Sequence, residues 1–578
     1  MRPTMKKIAS IAFFGTLATL FGSAARAQDA KFEALAGAYV EDLLQMNPEY
    51  ATALGDHRYD ARLDDYSADG ARRNLERERR FLMELGAVDS AKLSRANSVD
   101  YRVLKARIER SIFSLDVLRE YEWNPLHYNV GGALYDLMSR DFAPLPERLR
   151  KLAARLRAVP AVVAAAETNL RTPPKVHTET AIAQNAGTIS LLGEELDALL
   201  EQAPGVKEEV EEARTIARTA LEAYGKWLAD DLLPRSTGDF RLGADKFRRK
   251  LAYVLDSDLS LEQILARAEQ SLAETQQSMY DTALPLYRTF VPDATPERLA
   301  DHKLVIRSVL DRLAADRPDN ATVVDRARES LARATAFVRD HALVSVPEKP
   351  IDLIVMPEFD RGVAIAYCDS PGPLEKNGAT FFAISPTPKD WSAARVESFY
   401  REYNDYMLQD LTVHEAMPGH YLQLAHSNEF RAPTKIRTIF SSGAFVEGWA
   451  VYAERVMAEN GYGGPQVKMQ QLKMLLRSII NAILDQKIHT AGMTEQDAMA
   501  LMMNEGFQEE GEAAGKWRRA MLTSTQLSTY FVGYTEVLGI REAYEAKHGP
   551  ITDWRAFHDQ VLAFGSPPAK YVKELMGL

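Results

Sequence analysis

His414-Glu415-Ala416-Met417-Pro418-Gly419-His420 places a carboxylate next to one imidazole and supplies a second imidazole six positions on. Neutral imidazoles suit zinc, and a glutamate beside them that is not itself a ligand can act as a base toward water held at the metal. Glu447 follows in Glu447-Gly448-Trp449-Ala450, inside a second apolar, helix-like stretch. With His414 and His420 it makes three protein donors and leaves a fourth position open, as in a catalytic zinc site. The expectation is one Zn2+ per chain, with Glu415 as general base.

The spacing constrains the local structure. Zinc-binding helices usually carry histidines four apart, about 40° from each other on the helix face. At six apart an unbroken helix would turn the second ring about 120° away from the first. Pro418 and Gly419 sit in the gap. Proline clashes with the carbonyl four residues back, that of His414, and glycine accepts backbone angles that other residues avoid. The pair is expected to kink or bulge the helix and swing His420 back. His426, twelve positions after His414, competes with His420 as second imidazole.

Other candidates surround these. Glu454 lies seven after Glu447 and so shares its helix face, which suits either a hydrogen-bond acceptor behind a ligand or an ordinary ion pair. Tyr530 and Tyr534, four apart near Gly533 and Arg541, could supply a phenol that donates to a developing oxyanion; packing in the core is the competing reading. Asp485, one helical turn before His489, could orient that ring for catalysis, with a purely structural pair as the alternative.

Thr412 to Gln423 (TVHEAMPGHYLQ) and Phe445 to Glu454 (FVEGWAVYAE) resemble the bacterial domain-of-unknown-function family 885, whose members look like gluzincin-type zinc peptidases. The resemblance extends to Gly55-Asp56-His57-Arg58-Tyr59-Asp60, to Asp485 to His489 (DQKIH) and to Ser528 to Gly533 (STYFVG). It implies His414, His420 and Glu447 as metal ligands and Glu415 as base. His57 and Arg58, distant in sequence from the metal segment, carry a substrate role or none.

The rest of the chain bounds the setting. Lys6 and Lys7, the apolar stretch from Ile8 to Phe21 and the small-x-small Ala25-Arg26-Ala27 form a secretory signal with cleavage after Ala27, so a periplasmic product is expected. No other run approaches a membrane span, and no cysteine stands at the cleavage point to carry a lipid. Losing four basic residues and no acids moves the formal charge from −11 to −15, which argues against nucleic-acid partners. The one cysteine, Cys368, excludes an internal disulfide and reads as a small buried hydrophobe.

Helical periodicity dominates up to about residue 345, over Phe32 to Gln45, Ala71 to Leu85, Val99 to Leu118, Pro146 to Leu170, Ile182 to Gln202, Lys207 to Leu228, Leu261 to Tyr287 and Val323 to Arg339. Three short runs rich in branched and aromatic residues follow, Ile351 to Met356, Val363 to Cys368 and Ala379 to Ile384, and then helices resume from Ser392. The expected fold is mainly α: a large, two-lobed, zincin-like protein, with a helical lobe over 28–345 and a metal-binding lobe over 346–578. A small antiparallel sheet beside the metal cleft would act as a shelf for substrate.

The function this supports is an exported zinc peptidase acting on short peptides. A zinc amidase or imidase on a small non-peptide substrate is the nearest alternative, and an inactive binding protein on the same fold is another. Glu415 speaks against the last, because holding a metal does not require that base.

Overall fold

Several helices begin where the sequence supplies a side-chain cap for their first amides. Ser260 and Gln263 form a reciprocal capping box that opens Leu261–Phe290. The Asn404 side chain accepts the amides of Tyr406 and Met407 at the start of Asp405–Glu415, and the Ser442 hydroxyl accepts that of Phe445 to start Gly443–Glu459. The computed structural model describes residues 11–356, 365–375 and 378–578, with side chains from residue 26. It is 73% helical with one small sheet, so the chain is mainly α. Residues 1–10 of the expected signal and 363–364 of the expected second strand lie outside the described residues.

Most expected helices are present with shifted ends: Ala68–Gly86, Arg95–Phe113, Leu145–Asn169, Lys207–Trp227 and Val323–Asp340. The stretch expected as one helix over 182–202 is two, Lys175–Leu191 and Glu194–Gln202, because the backbone leaves helical geometry at Gly193.

The sheet has strands β1 (Ile351–Val355), β2 (Ala366–Asp369) and β3 (Thr380–Ile384), in the order β1-β3-β2. β2 pairs antiparallel with β3, Cys368 opposite Phe382, but β1 runs parallel to β3, Leu353 opposite Phe382. The sheet is therefore mixed, which corrects the antiparallel expectation. A parallel pair needs a long connection, and the chain between β1 and β3 makes β2 on the way, which places β2 at the edge.

Packing is continuous across residue 345. The largest core joins Val323, Ala327 and Val338 to Leu411, Trp449, Ile479 and Phe531. Another joins Phe32, Tyr39 and Ile108 to Ile436, Phe440 and Tyr571. Any division into two lobes at that point is thus one between segments that share cores. Gly464–Ala491 is buried on nearly every side in its second half, and it braces the region that carries the metal segment.

Candidate metal centre

Asp405–Glu415 ends one residue after His414, and a new helix, His420–Glu429, starts at His420 itself. The amides in between reach back further than four residues. Met417 donates to Thr412 O at 3.1 Å and Gly419 to Val413 O at 2.9 Å. A Cβ on Gly419 would stand 1.8 Å from the His414 carbonyl oxygen, so only glycine permits this return. The Trp449 indole N–H donates to Pro418 O at 2.9 Å and ties the turn to the neighbouring helix. The break brings the two rings together, with centroids 4.7 Å apart and planes at 85°.

Glu447 comes from Gly443–Glu459. Its Oε2 stands 3.6 Å from His414 Nε2 and 3.5 Å from His420 Nε2, and one donor atom from each of the three residues falls within 4.8 Å of the others. These separations are long for hydrogen bonds. Donors about 2.1 Å from a tetrahedral centre stand about 3.4 Å apart. Glu447 Oε2 and His420 Nδ1 are buried without a hydrogen-bond partner among the described residues. Two imidazoles and a carboxylate around a common point, with a polar atom left unsatisfied there, fit a divalent ion of the zinc type.

Behind the donors, Glu454 Oε1 accepts from His414 Nδ1 at 2.6 Å. That bond places the proton on Nδ1 and leaves Nε2 as a lone-pair donor. Burial works against charge on His414, but the facing Glu447 and Glu454 carboxylates outweigh it and raise its pKa well above the ordinary value. Burial also opposes ionisation of Glu447, and the two histidines more than reverse this, holding its carboxyl well below the usual range. Asp410, one turn before His414, is fully buried; burial and then the Glu454 charge push its pKa far up. Asp410 escaped the sequence reading, although an acid one helical turn from His414 in an apolar stretch was a visible signal.

Glu415 is half-buried, and its Oε2 accepts the backbone N–H of Cys368 at 3.1 Å. The edge strand β2 therefore lies against the candidate base. Cys368 itself is shielded, and burial, then Glu415 and Asp369, raise its thiol pKa well above the usual value.

Gly443–Glu459 crosses Ser528–His548 at bare backbone. A Cβ on Gly533 would stand 1.8 Å from Ala444 O, and one on Gly448 would stand 2.2 Å from Gly533 C. This contact sets Glu447 and Tyr530, each within one helical turn of a contacting glycine, on facing helices. The Tyr530 hydroxyl accepts from Arg519 at 3.0 Å and from Gln526 at 3.2 Å, which leaves its own proton free to donate. Burial and then the Glu447 charge raise its pKa, so the phenol stays protonated. Tyr534 is engaged elsewhere, accepting from Arg455 at 2.7 Å.

Other expectations land differently. His426 Nε2 is bonded to Ser345 O at 2.9 Å and is outside the donor group. Asp485 does not orient His489: its carboxylate accepts the Thr525 and Ser528 amides and the Ser528 hydroxyl. A carboxylate can satisfy several amides at a helix start, and that use won. His489 instead bonds two carbonyl oxygens, Thr523 at 2.9 Å and Ala520 at 3.2 Å, stacks on Phe247, and is held neutral by burial with its pKa lowered to about 4. His57 is outside this donor group. It bridges Asp60 at 3.0 Å and Glu375 at 2.8 Å and stacks on Phe142, while Arg58 pairs with Asp56 and Glu41.

Glu447 and His489 both line a cavity of about 560 Å³ whose other wall comes from the first half of the chain, including Arg110, Glu120, Trp123, His177 and Lys250. That volume lies within the roughly 300–1,000 Å³ typical of ligand pockets.

The chain matches the family described as "Bacterial protein of unknown function (DUF885)" over residues 48–576. It belongs to that family. A protein of unknown function from Shewanella oneidensis, provisionally described as a lipoprotein, is 33% identical, superposes with a TM-score of 0.80, and is matched over 95% of this chain and 100% of that one. Another from Colwellia psychrerythraea, described in like terms, is 17% identical with a TM-score of 0.78, over 95% and 98% of the two chains. An M32 carboxypeptidase from Deinococcus radiodurans R1 aligns at 13% identity and a TM-score of 0.33, over 88% of this chain and 95% of that one, a likeness too distant to bear on chemistry. The chain has no match among curated proteins. Among the described residues no helix is long and apolar enough to cross a membrane.

Proposed function

We propose that this member of the family is an exported zinc-dependent peptidase that hydrolyses short peptides. The observation that carries the reading is the donor triad His414, His420 and Glu447 with Glu415 beside it and a cavity opening at Glu447. The sequence supports export through its signal-like start, as do relatives described as lipoproteins.

In this reading His414, His420 and Glu447 hold the ion, and Glu454 fixes the His414 tautomer. A zinc ion held there supplies a Lewis acid that polarises a carbonyl and acidifies water. Glu415 takes the proton from the attacking water and returns it to the leaving amine. The Cys368 N–H keeps the Glu415 carboxylate aimed, and β2, an edge strand among the described residues, offers an extended peptide its remaining backbone groups to pair with. Tyr530, oriented by Arg519 and Gln526, donates its proton to the oxyanion that forms on the scissile carbonyl. His489, neutral and held by backbone carbonyls, shapes the wall.

Two measurements on one preparation test this: metal content by elemental analysis, and cleavage of a peptide library read by mass spectrometry. One zinc per chain with cleavage of short peptides is the expected result. A chain that neither carries nor takes up zinc overturns the reading.

A further inference from the structure

The wall of the metal cavity has a distinct charge pattern. Its acidic members are Glu120 and Glu447. Glu447 belongs to the donor triad, and Glu120 is paired with Lys250 at 3.3 Å, which also donates to Ser524 at 2.9 Å. The two histidines of the wall, His177 and His489, are each held neutral by burial with pKa values lowered to about 4. One charge remains uncommitted. Arg110 lines the cavity and is exposed, and among the described residues its guanidinium has neither a hydrogen bond nor an ion pair. Arg107, on the same helix, adds positive potential there, and the Glu120 carboxylate, already paired with Lys250, offsets part of it.

A guanidinium cannot shed its proton, so it must find an anion or stay solvated. Among the described residues of the wall, both carboxylates already face a partner, Glu120 the Lys250 ammonium and Glu447 the two imidazoles of the triad. A short peptide brings one of each charge at its ends, and the unpaired guanidinium of this wall suits the carboxylate.

We propose that Arg110 is the anion receptor of the metal cavity and that it seats the free C-terminal carboxylate of short peptide substrates. This rests on the peptidase reading and adds a direction to it: the peptide lies with its carboxyl end toward Arg110 and an amide bond at the triad. Arg110 is a specificity residue, in contact with substrate and outside the proton-transfer steps. Carboxylate recognition by a forked guanidinium is worth about one to two orders of magnitude in affinity.

The test separates this inference from the peptidase reading by measuring binding apart from turnover. Calorimetry on the purified chain without metal compares an N-acetylated tripeptide with a free carboxylate, the same peptide as its C-terminal amide, and an amide ending in glutamate. The free acid is expected to bind at least about tenfold more tightly than either amide. Arg110→Gln should abolish that difference and Arg110→Lys should restore part of it. Unchanged melting of both variants shows that folding is intact. With zinc restored, Arg110→Gln should raise KM for free acids while kcat stays near normal. Equal binding of acid and amide overturns the proposal; tight binding of the glutamate amide does so too, by assigning the anion to a side chain. A chain that binds the acid through Arg110 but cleaves no peptide would overturn the peptidase reading and leave the receptor standing.

Discussion

Glu415 and His414 are adjacent in the chain yet face different partners, one the backbone of β2 and the other Glu447 and Glu454. Their substitution should therefore separate chemistry from metal binding. Glu415→Gln is expected to keep zinc and lose about 10²- to 10⁴-fold in turnover, since the amide cannot accept a proton; elemental analysis beside a rate assay checks both halves. His420→Ala should deplete the metal, whereas His426→Ala should leave it bound, because His426 already spends Nε2 on Ser345 O. A metal-depleted His426 variant would contradict the donor set. Tyr530→Phe should cost about 10²- to 10³-fold in kcat with zinc content intact. Tyr534→Phe, whose hydroxyl is turned to Arg455, should run at a near-normal rate. Much of this was legible from residue type, since a carboxylate in an apolar helix needs a cation, and that logic reaches Glu447 and Glu454. At His489 the same logic missed the partner, because Asp485 spends its carboxylate on the amides of Thr525 and Ser528, forty or more positions away.

At the scale of elements the site depends on two backbone approaches that no side chain could make. The first is the interrupted helix at Pro418 and Gly419. The second is the crossing of Gly443–Glu459 with Ser528–His548 at Gly448 and Gly533, which sets the distance between Glu447 and Tyr530. Gly533→Ala forces a methyl onto the Ala444 carbonyl, so it should destabilise the protein by about 1–3 kcal/mol and weaken zinc binding as Glu447 shifts. Gly539→Ala, on the same helix with nothing within 4 Å of the new Cβ, should be neutral or stabilising by up to about 1 kcal/mol. Thermal melts of the pair decide it; equal melting temperatures would mean that the two helices can part without cost. Glycines within apolar helical stretches are visible in sequence, but their pairing across a helix crossing is not.

At the scale of the whole molecule, the candidate donors are mounted on helices whose apolar faces pack into cores that continue well away from the triad. In the proposed reading the metal is thus a ligand added to a fold whose cores lie apart from it. Chelation should abolish turnover and lower the melting temperature by a few degrees, because a tightly bound ion contributes about 4 kcal/mol at a thousand times its dissociation constant. Helical circular dichroism at room temperature should stay unchanged. Collapse of that signal on chelation would make the site structural instead.

By itself the sequence determined what depends on neighbours along the chain: helices from apolar periodicity, the break between the histidines from Pro418-Gly419, and the donor types from acids and imidazoles in apolar stretches. Such features are local, so spacing and residue chemistry are enough to express them. Only the tertiary structure decided that β1 joins β3 in parallel, that Asp485 serves the start of Ser528–His548, and that Arg110, Glu120 and Lys250 face Glu447 across one cavity. Those pairings join residues tens to hundreds of positions apart. They follow from which apolar faces bury each other, and that choice leaves no mark at any one position in the chain.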